Sequence, residues 1–568
     1  MDIELITFFQ EKKCNSLIEL NTTLRDKTGI VNFFEKEESF IQLKKSLETN
    51  QTLVAKSQVE YGDFQTNNQL SQLITNYLSS KNINPQILIE PTCGNGNFIL
   101  SSIKIFNSLK KVFGIEIQEK YLWELKFALL KYFLENPLAN KPEIHLYNCN
   151  VFVFDFQQIK QQIKGKELLI IGNPPWVTNS TLSPITSFNL PAKSNFKHTK
   201  GIDAITGKSN FDVSENISLK MLGSFSNENG YFAFLVKNSV IKNIVFEQKR
   251  NKYPIANIEK RTINAQKEFG VAVDASLFVC KFNSISEFIA KEYDFYTSIR
   301  KSTLGWVKNK FASDIEKYEK YQEFDAIFPL EWRQGIKHDC SKIMEFERIN
   351  GGFRNALGEE FELEEDLIYG ILKSSDLKND RVSNPRKYTI ITQQRIGNET
   401  NHILEKLPKT KAYLHRHKDY FLKRKSSVYN GKPMFSIFGV GDYSFKPYKV
   451  AIAGLYKQTR FTLVDANGTV LMLDDTCYYI GFDNNIDAQI TQFLLNKPET
   501  QEFIQSFVFT DTKRTITKEL LMRIGLKNII NNTNFFTIQH IVSYEQWQKY
   551  QYYFENKTKK QLNLLVNI

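Results

Sequence analysis

The sequence predicts an α/β protein whose first half forms an open, mostly parallel β-sheet with helices on both faces. Short apolar runs alternate with longer segments of helical spacing, which is the pattern of repeated β-α units. The runs that predict strands are Ile87–Ile89, Val112–Ile115, Ile144–Tyr147, Leu168–Ile171, Tyr231–Val236 and Ser276–Lys281. In such a sheet ligands bind beside the carboxyl ends of the strands. Polar residues that directly follow these runs are therefore candidates for a functional site.

The rest of the chain predicts further segments around this sheet. Residues 1–60 carry helical spacing and mixed charge, and we expect an N-terminal helical extension there. The α/β domain is expected at residues 61–285, followed by a polar helical connector at 286–330. From 331 to 568 glycine, aromatic and basic residues are interleaved irregularly, with helical character at 486–526. This texture predicts a second domain of mixed α+β structure.

Composition and charge narrow the class of protein. The 568 residues are 42% hydrophobic and 24% charged, which is ordinary for a globular chain, and the net charge of +12 favours a polyanionic partner. The sequence contains no run of about 18 apolar residues, so it predicts no membrane span. Met1 is not followed by the basic start of a signal peptide. Six scattered cysteines, without a Cys-x-x-Cys pair, predict reduced thiols, a cytoplasmic location and no metal site. They are Cys14, Cys93, Cys149, Cys280, Cys340 and Cys477.

A glycine-rich turn follows the first predicted strand. The stretch from Glu90 to Phe98 reads Glu-Pro-Thr-Cys-Gly-Asn-Gly-Asn-Phe and leads into a helical pattern. Glycines at a strand-to-helix turn let a ligand approach the backbone closely. The third glycine of the dinucleotide fingerprint is absent, which disfavours pyrophosphate binding. Glu90 is placed to accept hydrogen bonds from a ligand amine, or alternatively to act as a charge partner of the helix N-terminus.

A second acid strengthens the case for a ligand. Glu116 ends the next predicted strand, 20 residues after Gly96. An acid at that position binds the hydroxyls of a ribose in many nucleotide-binding folds, although alone it reads equally well as a surface carboxylate. Together, the glycine turn and Glu116 indicate a cofactor that carries a nucleoside.

The fourth predicted strand ends in Asn173-Pro174-Pro175-Trp176. The two prolines fix φ and remove two backbone donors, so the loop offers mainly acceptors. Asn173 adds a side-chain carbonyl and Trp176 a large aromatic face. Such a pocket suits a planar group that carries an NH2 donor, although Asn-Pro-Pro by itself is also compatible with a plain turn.

The order of these motifs resembles that of the S-adenosylmethionine-dependent DNA methyltransferases, in particular the gamma-class enzymes that methylate N6 of adenine. The resemblance covers roughly residues 60–282, and Tyr61–Thr66 is similar to the family's motif before the glycine loop. It implies a Rossmann-like class I methyltransferase domain, S-adenosylmethionine as the cofactor and a C-terminal target-recognition domain. By position, the residues that it assigns to the cofactor site are Thr66, Glu90, Pro91, Gly94, Gly96, Glu116, Asn150 and Asn173. Asn150 stands where the family often has an Asp, and its amide oxygen can still accept from a purine amine.

The same resemblance assigns catalytic roles to Asn173, Pro174, Pro175, Trp176 and Phe269. Asn173 Oδ1 and the Pro174 carbonyl are expected to accept the two hydrogens of the target amine, which localises the nitrogen lone pair. A base inside a duplex cannot reach this pocket, so it must be flipped out. Trp176 and Phe269 are expected to stack on it, although Phe269 fits a core role equally well.

The C-terminal region carries the candidate DNA contacts. Basic residues are interleaved with aromatic residues there, which suits phosphate contact, while a solvated helix face is the alternative. The candidates are Arg333, Gln334, Lys337, Arg416, Lys423, Arg424 and Lys425. We expect duplex DNA as the partner, a cognate restriction endonuclease acting on the same site, and a monomeric enzyme.

The predicted function is therefore site-specific methylation of adenine N6 in duplex DNA, as part of a restriction–modification system. Two alternatives use the same acceptor chemistry: methylation of an RNA base, or of a glutamine side-chain amide in a translation factor. The long region after residue 285 disfavours the amide alternative. Neither the first 60 residues nor the C-terminal domain shows a constellation of Asp and Glu-x-Lys on a strand pair that would indicate a fused nuclease.

Overall fold

The computed structural model describes residues 16–39, 41, 65–177, 212–455, 459–509 and 514–566. The chain divides into two compact units, Met1–Phe311 and Ala312–Ile568. No helix in the described ranges is both long and apolar enough to cross a membrane. Of the six cysteines, the five that lie within these ranges are free thiols.

The first unit contains one ten-stranded sheet. Its strands are β1 (Ile87–Glu90), β2 (Lys111–Glu116), β3 (Glu143–Asn148), β4 (Leu168–Gly172), β5 (Gly230–Lys237), β6 (Ala256–Ile263), β7 (Ala275–Lys281), β8 (Ile289–Asp294), β9 (Arg300–Val307) and β10 (Lys310–Ala312). Its helices are α1 (Leu17–Thr28), α2 (Asn68–Ser80), α3 (Asn97–Ile105), α4 (Glu119–Glu135), α5 (Gln157–Ile163), α6 (Val213–Phe225), α7 (Asn238–Asn251) and α8 (Ala265–Phe269). The strand order is β10-β9-β8-β6-β7-β5-β4-β1-β2-β3.

This sheet confirms the predicted class I methyltransferase fold. Strands β1 to β5 are mutually parallel where they pair, and all six predicted strands are present. Strand β7 runs antiparallel to both of its neighbours, β5 and β6. The chain reverses its direction of strand addition at β1, which pairs with both β2 and β4. A ligand crevice is expected at the carboxyl ends of the strands beside such a switch point.

Side chains along the central strands point alternately to the two faces of the sheet, and they form one core on each face. Leu88, Val112 and Leu169 point into the core that is covered by α2, α3 and α4. Ile89 and Phe113 point into the opposite core, which α5, α6 and α7 cover. Because both faces are buried, these strands read as continuous apolar runs, which is why the sequence reveals them.

The predicted helical connector at 286–330 is helical only in its last part, at Ile315–Lys320. Strands β8, β9 and β10 occupy residues 289–312 and extend the first sheet. They lie toward an edge, where charged residues are tolerated because they pair across strands: Lys260 Nζ lies 3.2 Å from Glu292 Oε1. Strand β6 was missed for a related reason, since it places the guanidinium of Arg261 in the interior between the rings of Tyr77 and Tyr293.

The predicted N-terminal helical extension is in part a component of the first core. Helix α1 buries Leu20 and Leu24 in the same cluster as α4. After α1, Ile30 forms a parallel bridge to Ile144 of β3. Residues 1–15, 40 and 42–60 of the expected extension lie outside the described residues, as does Tyr61–Phe64 of the proposed cofactor motif.

The second unit has the predicted mixed α+β character, with two sheets. One follows the order β11-β21-β18-β19-β16 and the other β14-β13-β12-β17-β15-β20. The strands are β11 (Arg333–Gln334), β12 (Glu345–Ile349), β13 (Gly352–Asn355), β14 (Glu360–Phe361), β15 (Ile368–Leu372), β16 (Arg381–Val382), β17 (Lys387–Ile390), β18 (Tyr448–Ala453), β19 (Phe461–Asp465), β20 (Leu471–Leu473) and β21 (Cys477–Phe482). The helices are α9 (Ile315–Lys320), α10 (Ser341–Met344), α11 (Asn401–Leu404), α12 (Pro408–Arg416), α13 (Lys418–Leu422), α14 (Asn485–Asn496), α15 (Pro498–Gln505), α16 (Lys518–Leu521), α17 (Leu526–Asn531) and α18 (Tyr544–Val566).

A buried lysine makes the stability of the second unit depend on pH. Lys449 on β18 is 0% exposed, and its ammonium donates to the carbonyl of Lys446 at 2.6 Å. Burial lowers the pKa of Lys449 to about 7. The unfolded chain therefore binds more protons than the folded chain between pH ~7 and the ordinary lysine pKa of ~10.4, so stability rises with pH across that window.

We expect Lys449→Met to raise the melting temperature at pH 7 and to flatten its increase between pH 7 and 9.5. The reason is that the substitution keeps the apolar stem and removes the charge whose burial is unfavourable. Thermal unfolding at both pH values measures this, with Lys432→Met at an exposed position as the control. A variant whose pH profile parallels that of the wild type would contradict the assignment.

Candidate active site

Loops that leave the carboxyl ends of β1, β2, β3 and β4 surround one cavity of about 1020 Å³, including the part open to solvent. Helix α6 and the segment before α2 complete its wall. The predicted site residues that line the cavity are Thr66, Glu90, Pro91, Gly94, Glu116, Asn150, Asn173, Pro174, Pro175 and Trp176. The structure thus brings together ten residues that are spread over 111 positions of the sequence.

The two glycines of the turn after β1 have different tasks. Both have positive φ, +49° at Gly94 and +76° at Gly96. A Cβ at Gly94 would overlap the side chain of Gln65 at the cavity. Gly96 does not line the cavity; a Cβ there would overlap the methyl groups of Leu125 on α4. Gly94 therefore keeps the ligand side of the turn open, whereas Gly96 lets α3 start close to α4.

Glu116 organises the glycine turn. Its Oε2 accepts from the backbone N–H of Gly94 at 2.9 Å, and its Oε1 accepts from that of Gln118 at 2.8 Å. A carboxylate has about four lone-pair directions, so these two bonds leave acceptor capacity for ribose hydroxyls. The acid predicted to bind the ribose is thus also the group that shapes the loop beside it.

Glu90 is the most unusual ionisable group in the cavity wall. It is 2% exposed, and its Oε2 is a buried atom with no hydrogen-bond partner among the described residues. Burial raises the pKa of Glu90 well above its ordinary value, and the negative charge of Glu116 adds to this. An unsatisfied buried carboxyl oxygen that faces a cavity indicates that a donor or a cation belongs there.

Asn173 is held by the segment before α2. Its Nδ2 donates to the hydroxyl of Thr66 at 3.2 Å. Thr66 is fixed in turn, because Asn97 Nδ2 donates to its backbone carbonyl at 2.7 Å. The bond to Thr66 uses the amide nitrogen, so the carbonyl Oδ1 of Asn173 points away from Thr66.

The indole of Trp176 is more buried than a free stacking platform would be. It is 6% exposed, and its Nε1 donates to the carbonyl of Leu235 at 3.3 Å. Phe269 contacts it edge to face, with ring centroids 5.0 Å apart and planes at 70°. The two rings predicted to flank a base are therefore brought together, but Phe269 packs behind Trp176 and does not line the cavity.

The polar groups that line the cavity fit S-adenosylmethionine. This cofactor carries a sulfonium, an ammonium, a ribose and an adenine. The cavity offers a buried acid at Glu90, a second acid at Glu116, and an amide at Asn150, whose Oδ1 already accepts from the Phe152 N–H at 2.9 Å. Among the described residues that line the cavity there is no lysine or arginine, so its two carboxyl groups suit a positively charged ligand.

A curated relative decides the family. The chain is 38% identical over 477 residues to the type II methyltransferase M.NspV of Nostoc sp., an alignment that spans 84% of this chain and 98% of the relative. The chain belongs to the type II methyltransferases. It is a DNA methyltransferase of the restriction–modification kind that uses S-adenosylmethionine. No family model matches this type II methyltransferase.

Solved structures with distant similarity to the type II methyltransferase include the methyltransferase subunit of a type I restriction–modification system from Streptococcus thermophilus. It is 14% identical, with a TM-score of 0.30 over 47% of this chain and 53% of that chain. The type IIG restriction endonuclease BpuSI is 11% identical, with a TM-score of 0.36 over 92% of this chain and 68% of that chain. A class I S-adenosylmethionine-dependent methyltransferase from Listeria monocytogenes is 12% identical, with a TM-score of 0.28 over 49% and 84%.

Several cavity residues of the type II methyltransferase were missed in the sequence. They are Gln65, Asn97, Ile117, Gln118, Tyr121 and Phe152. Most directly follow a predicted strand or flank a motif, so the rule that ligands bind at carboxyl strand ends was the available signal. The rule marks a loop but does not say which of its side chains turn inward.

The predicted DNA contacts divide into two groups in the second unit. Arg416, Lys423 and Lys425 are solvent-exposed and form no ion pair within the described ranges. The donors of Arg424 are used internally: its Nη1 and Nη2 donate to the carbonyls of Ser436 and Met434 at 2.7 and 2.8 Å. Its guanidinium also lies 3.7 Å from the centre of the Tyr429 ring.

The group around β11 is likewise engaged within the unit. Arg333 pairs with Glu331 and lies over the Tyr443 ring at 4.7 Å. Gln334 Nε2 donates to the carbonyl of Asp475 at 2.6 Å, and Lys337 lies 3.5 Å from Asp339. Arg424 and Gln334 thus support the local fold, which separates them from the exposed basic residues.

We expect Gly96→Ala to destabilise the first unit more than Gly165→Ala does. Both glycines have similar positive φ, +76° and +74°, which costs an alanine ~1 kcal/mol. Only Gly96 adds a collision with Leu125, while nothing lies within 4 Å of a Cβ at Gly165. Overpacking adds roughly 1–3 kcal/mol. Urea unfolding of both variants tests this, and equal losses would contradict the packing role of Gly96.

Proposed function

We propose that this enzyme transfers the methyl group of S-adenosylmethionine to N6 of an adenine that is flipped out of duplex DNA. One observation carries the proposal: the Asn173–Trp176 loop forms part of the wall of the same cavity that Glu90 and Glu116 line. Acceptors for an amine and the binding site of a methyl donor thereby share one enclosed space. Proximity of this kind supplies a large part of the catalysis.

The reaction requires hydrogen-bond acceptors in the loop. The exocyclic nitrogen of adenine is a poor nucleophile because its lone pair is delocalised into the ring. Two acceptors on its hydrogens, Asn173 Oδ1 and the Pro174 carbonyl, favour a tetrahedral nitrogen whose lone pair is localised. They stabilise the positive charge that develops on nitrogen as the bond to carbon forms. The proton leaves after transfer, when the alkylated nitrogen is more acidic, so no general base is needed beforehand.

The cofactor residues support this step by position and charge. S-adenosylmethionine supplies a methyl group on a positively charged sulfur. Glu116 is placed for the ribose hydroxyls and Asn150 for the adenine amine. Ile117 and Phe152 line the cavity between them and offer apolar surface for the purine ring. Glu90 faces the positive part of the cofactor, which would lower the raised pKa of this carboxyl group.

A flipped base has an aromatic wall available. Trp176 lines the cavity at the side of the acceptors, and Phe269 supports it from behind. A π-face next to an amine pocket suits a nucleobase, which is planar and stacks. The same acceptors would serve an RNA base or a side-chain amide, and competition between duplex DNA, RNA and protein substrates separates these possibilities.

The second unit is the proposed target-recognition domain, on duplex DNA and as part of a monomeric enzyme. Its exposed basic residues Arg416, Lys423 and Lys425 suit the phosphate backbone, which dominates affinity for DNA. A cognate endonuclease that cuts the same site is the expected companion. Sequencing of methylated positions in the DNA of a host that expresses the enzyme would give the base and the site together. Methylation confined to cytosine would overturn the adenine assignment.

We expect Asn173→Ala to abolish methyl transfer and to leave the affinity for S-adenosylmethionine within about twofold of wild type. The substitution removes an acceptor that acts on the amine in the transition state, and losses of one such group are on the order of 100-fold or more in rate. Incorporation of labelled methyl into duplex DNA, together with calorimetric binding of the cofactor, measures both. Asn136→Ala, at the end of α4, is the control. An Asn173→Ala enzyme with wild-type turnover would remove Asn173 from the mechanism.

We expect the double variant Lys423→Ala/Lys425→Ala to bind DNA more weakly, with a shallower dependence of log K on log salt. Each lost phosphate contact reduces that slope by about 0.9. Fluorescence anisotropy over a salt series measures the slope. Arg424→Ala is the contrasting variant, since it should lower the melting temperature by exposing the Ser436 and Met434 carbonyls. An unchanged salt slope in the double variant would argue against DNA contact at this surface.

A further inference from the structure

The exit of the catalytic loop is tied down by groups outside the motif. Pro174 and Pro175 have no backbone N–H, so the loop cannot anchor itself through donors at those positions. Instead the carbonyl of Trp176 accepts from Lys237 Nζ at 3.3 Å, and the carbonyl of Val177 accepts from the Val213 N–H at 2.9 Å. Lys237 is the last residue of β5, the strand next to β4.

Lys237 is itself fixed by an ion pair with Asp212. Asp212 caps α6, because its Oδ1 accepts from the Ser214 N–H at 3.0 Å. Both charged side chains are largely buried, with 18% and 11% exposure. Lys237 therefore links the carbonyl at the loop exit to the N-terminus of a helix whose Val213 lines the cavity.

A second lysine makes a comparable link on the other side of the cavity. Lys220, farther along α6, donates to the carbonyls of Val151 and Phe152 at 2.8 and 2.7 Å. Its ammonium also lies 5.3 Å from the centre of the Phe156 ring. Val151 and Phe152 line the cavity beside Asn150, in the loop after β3.

We propose that Lys237 and Lys220 are positioning residues with separate tasks: Lys237 holds the amine-accepting loop for the chemical step, and Lys220 holds the loop that binds the nucleoside of the cofactor. The proposal rests on the proposed function, since it assigns the two loops to substrate and cofactor. Neither lysine is required to touch a reacting atom. Each acts through the backbone carbonyl that its ammonium holds.

The physical basis is the fixed direction of a charge-assisted hydrogen bond in a dry environment. An ammonium that donates to a carbonyl in the interior resists displacement more strongly than a neutral donor does. A buried ion pair contributes little net stability but fixes geometry where both partners are anchored. Small shifts matter here, because displacement of a positioned group by ~1 Å can lower a rate on the order of 100-fold.

The test compares Lys237→Met and Lys220→Met in the full-length enzyme. Single-turnover methylation of duplex DNA at saturating S-adenosylmethionine reports the chemical step, and calorimetry reports the cofactor Kd. Lys237→Met should lower the single-turnover rate by about tenfold or more with a Kd within about twofold of wild type. Lys220→Met should raise the cofactor Kd by about tenfold, whereas its single-turnover rate at saturating S-adenosylmethionine should stay close to that of wild type. Each variant is thus the matched control of the other.

Two conservative variants separate positioning from folding. Lys237→Arg keeps the donor and the charge, and should retain more of the rate than Lys237→Met. Asp212→Asn keeps an acceptor for the cap of α6 but leaves the ammonium of Lys237 without its charge partner, so it should lower the rate even when measured well below the melting temperature of the variant. Lys237→Met or Asp212→Asn at the wild-type rate would overturn the role of Lys237.

A different result would show that the proposed function itself is wrong. Wild-type enzyme that binds S-adenosylmethionine but labels no adenine would contradict that function. Hydrogen exchange at the Val213 amide, which donates to the Val177 carbonyl, would still test the anchor, because loss of Lys237 should loosen the loop exit and accelerate that exchange. Equal losses of rate and affinity in both Met variants, or unchanged exchange at the Val213 amide, would refute the division of tasks.

Discussion

The contacts around the Asn173–Trp176 loop depend on one constraint, the absence of two backbone donors within it. Pro174 and Pro175 make the loop an acceptor surface, and the same property prevents it from anchoring through its own amides. The anchors come from elsewhere: Thr66 holds Asn173 at the entrance, and Lys237 holds Trp176 at the exit. Rigid acceptors for an amine and dependence on outside support are therefore two consequences of one sequence feature.

Two carboxyl groups, Glu90 and Glu116, line the same cavity as this loop. Glu116 is saturated in part by the backbone of the glycine turn, whereas Glu90 is buried with an unsatisfied oxygen. Burial of a carboxyl group without a partner is unfavourable unless a ligand compensates it. In the proposed mechanism a positively charged methyl donor provides that compensation, and the charge on its sulfur is lost on transfer. The same electrostatics would then favour the methyl donor over the product that remains after methyl transfer.

The sequence was most informative where both faces of the sheet are buried. Strands β1 to β5 are visible as apolar runs, and the motifs at their ends indicate the site before any coordinates. It failed at β6 and at the edge strands β8 to β10, because charged side chains there are satisfied by partners distant in the chain. Arg261 lies between two aromatic rings in the interior, and the residues next to it in the sequence do not predict such a contact.

The type of a residue likewise does not determine its role in the candidate site. Gly94 and Gly96 are equivalent in the motif, yet only the first borders the cavity, because the position of α4 decides what a side chain would meet. Lys423 and Arg424 are adjacent in one basic run, yet the arginine satisfies carbonyls of its own unit. A charge run therefore overstates the DNA-binding surface by the residues whose donors are already used. On the proposed DNA-binding surface, the side chains that remain for phosphate contact are therefore those such as Arg416, Lys423 and Lys425, which are exposed and form no ion pair within the described ranges.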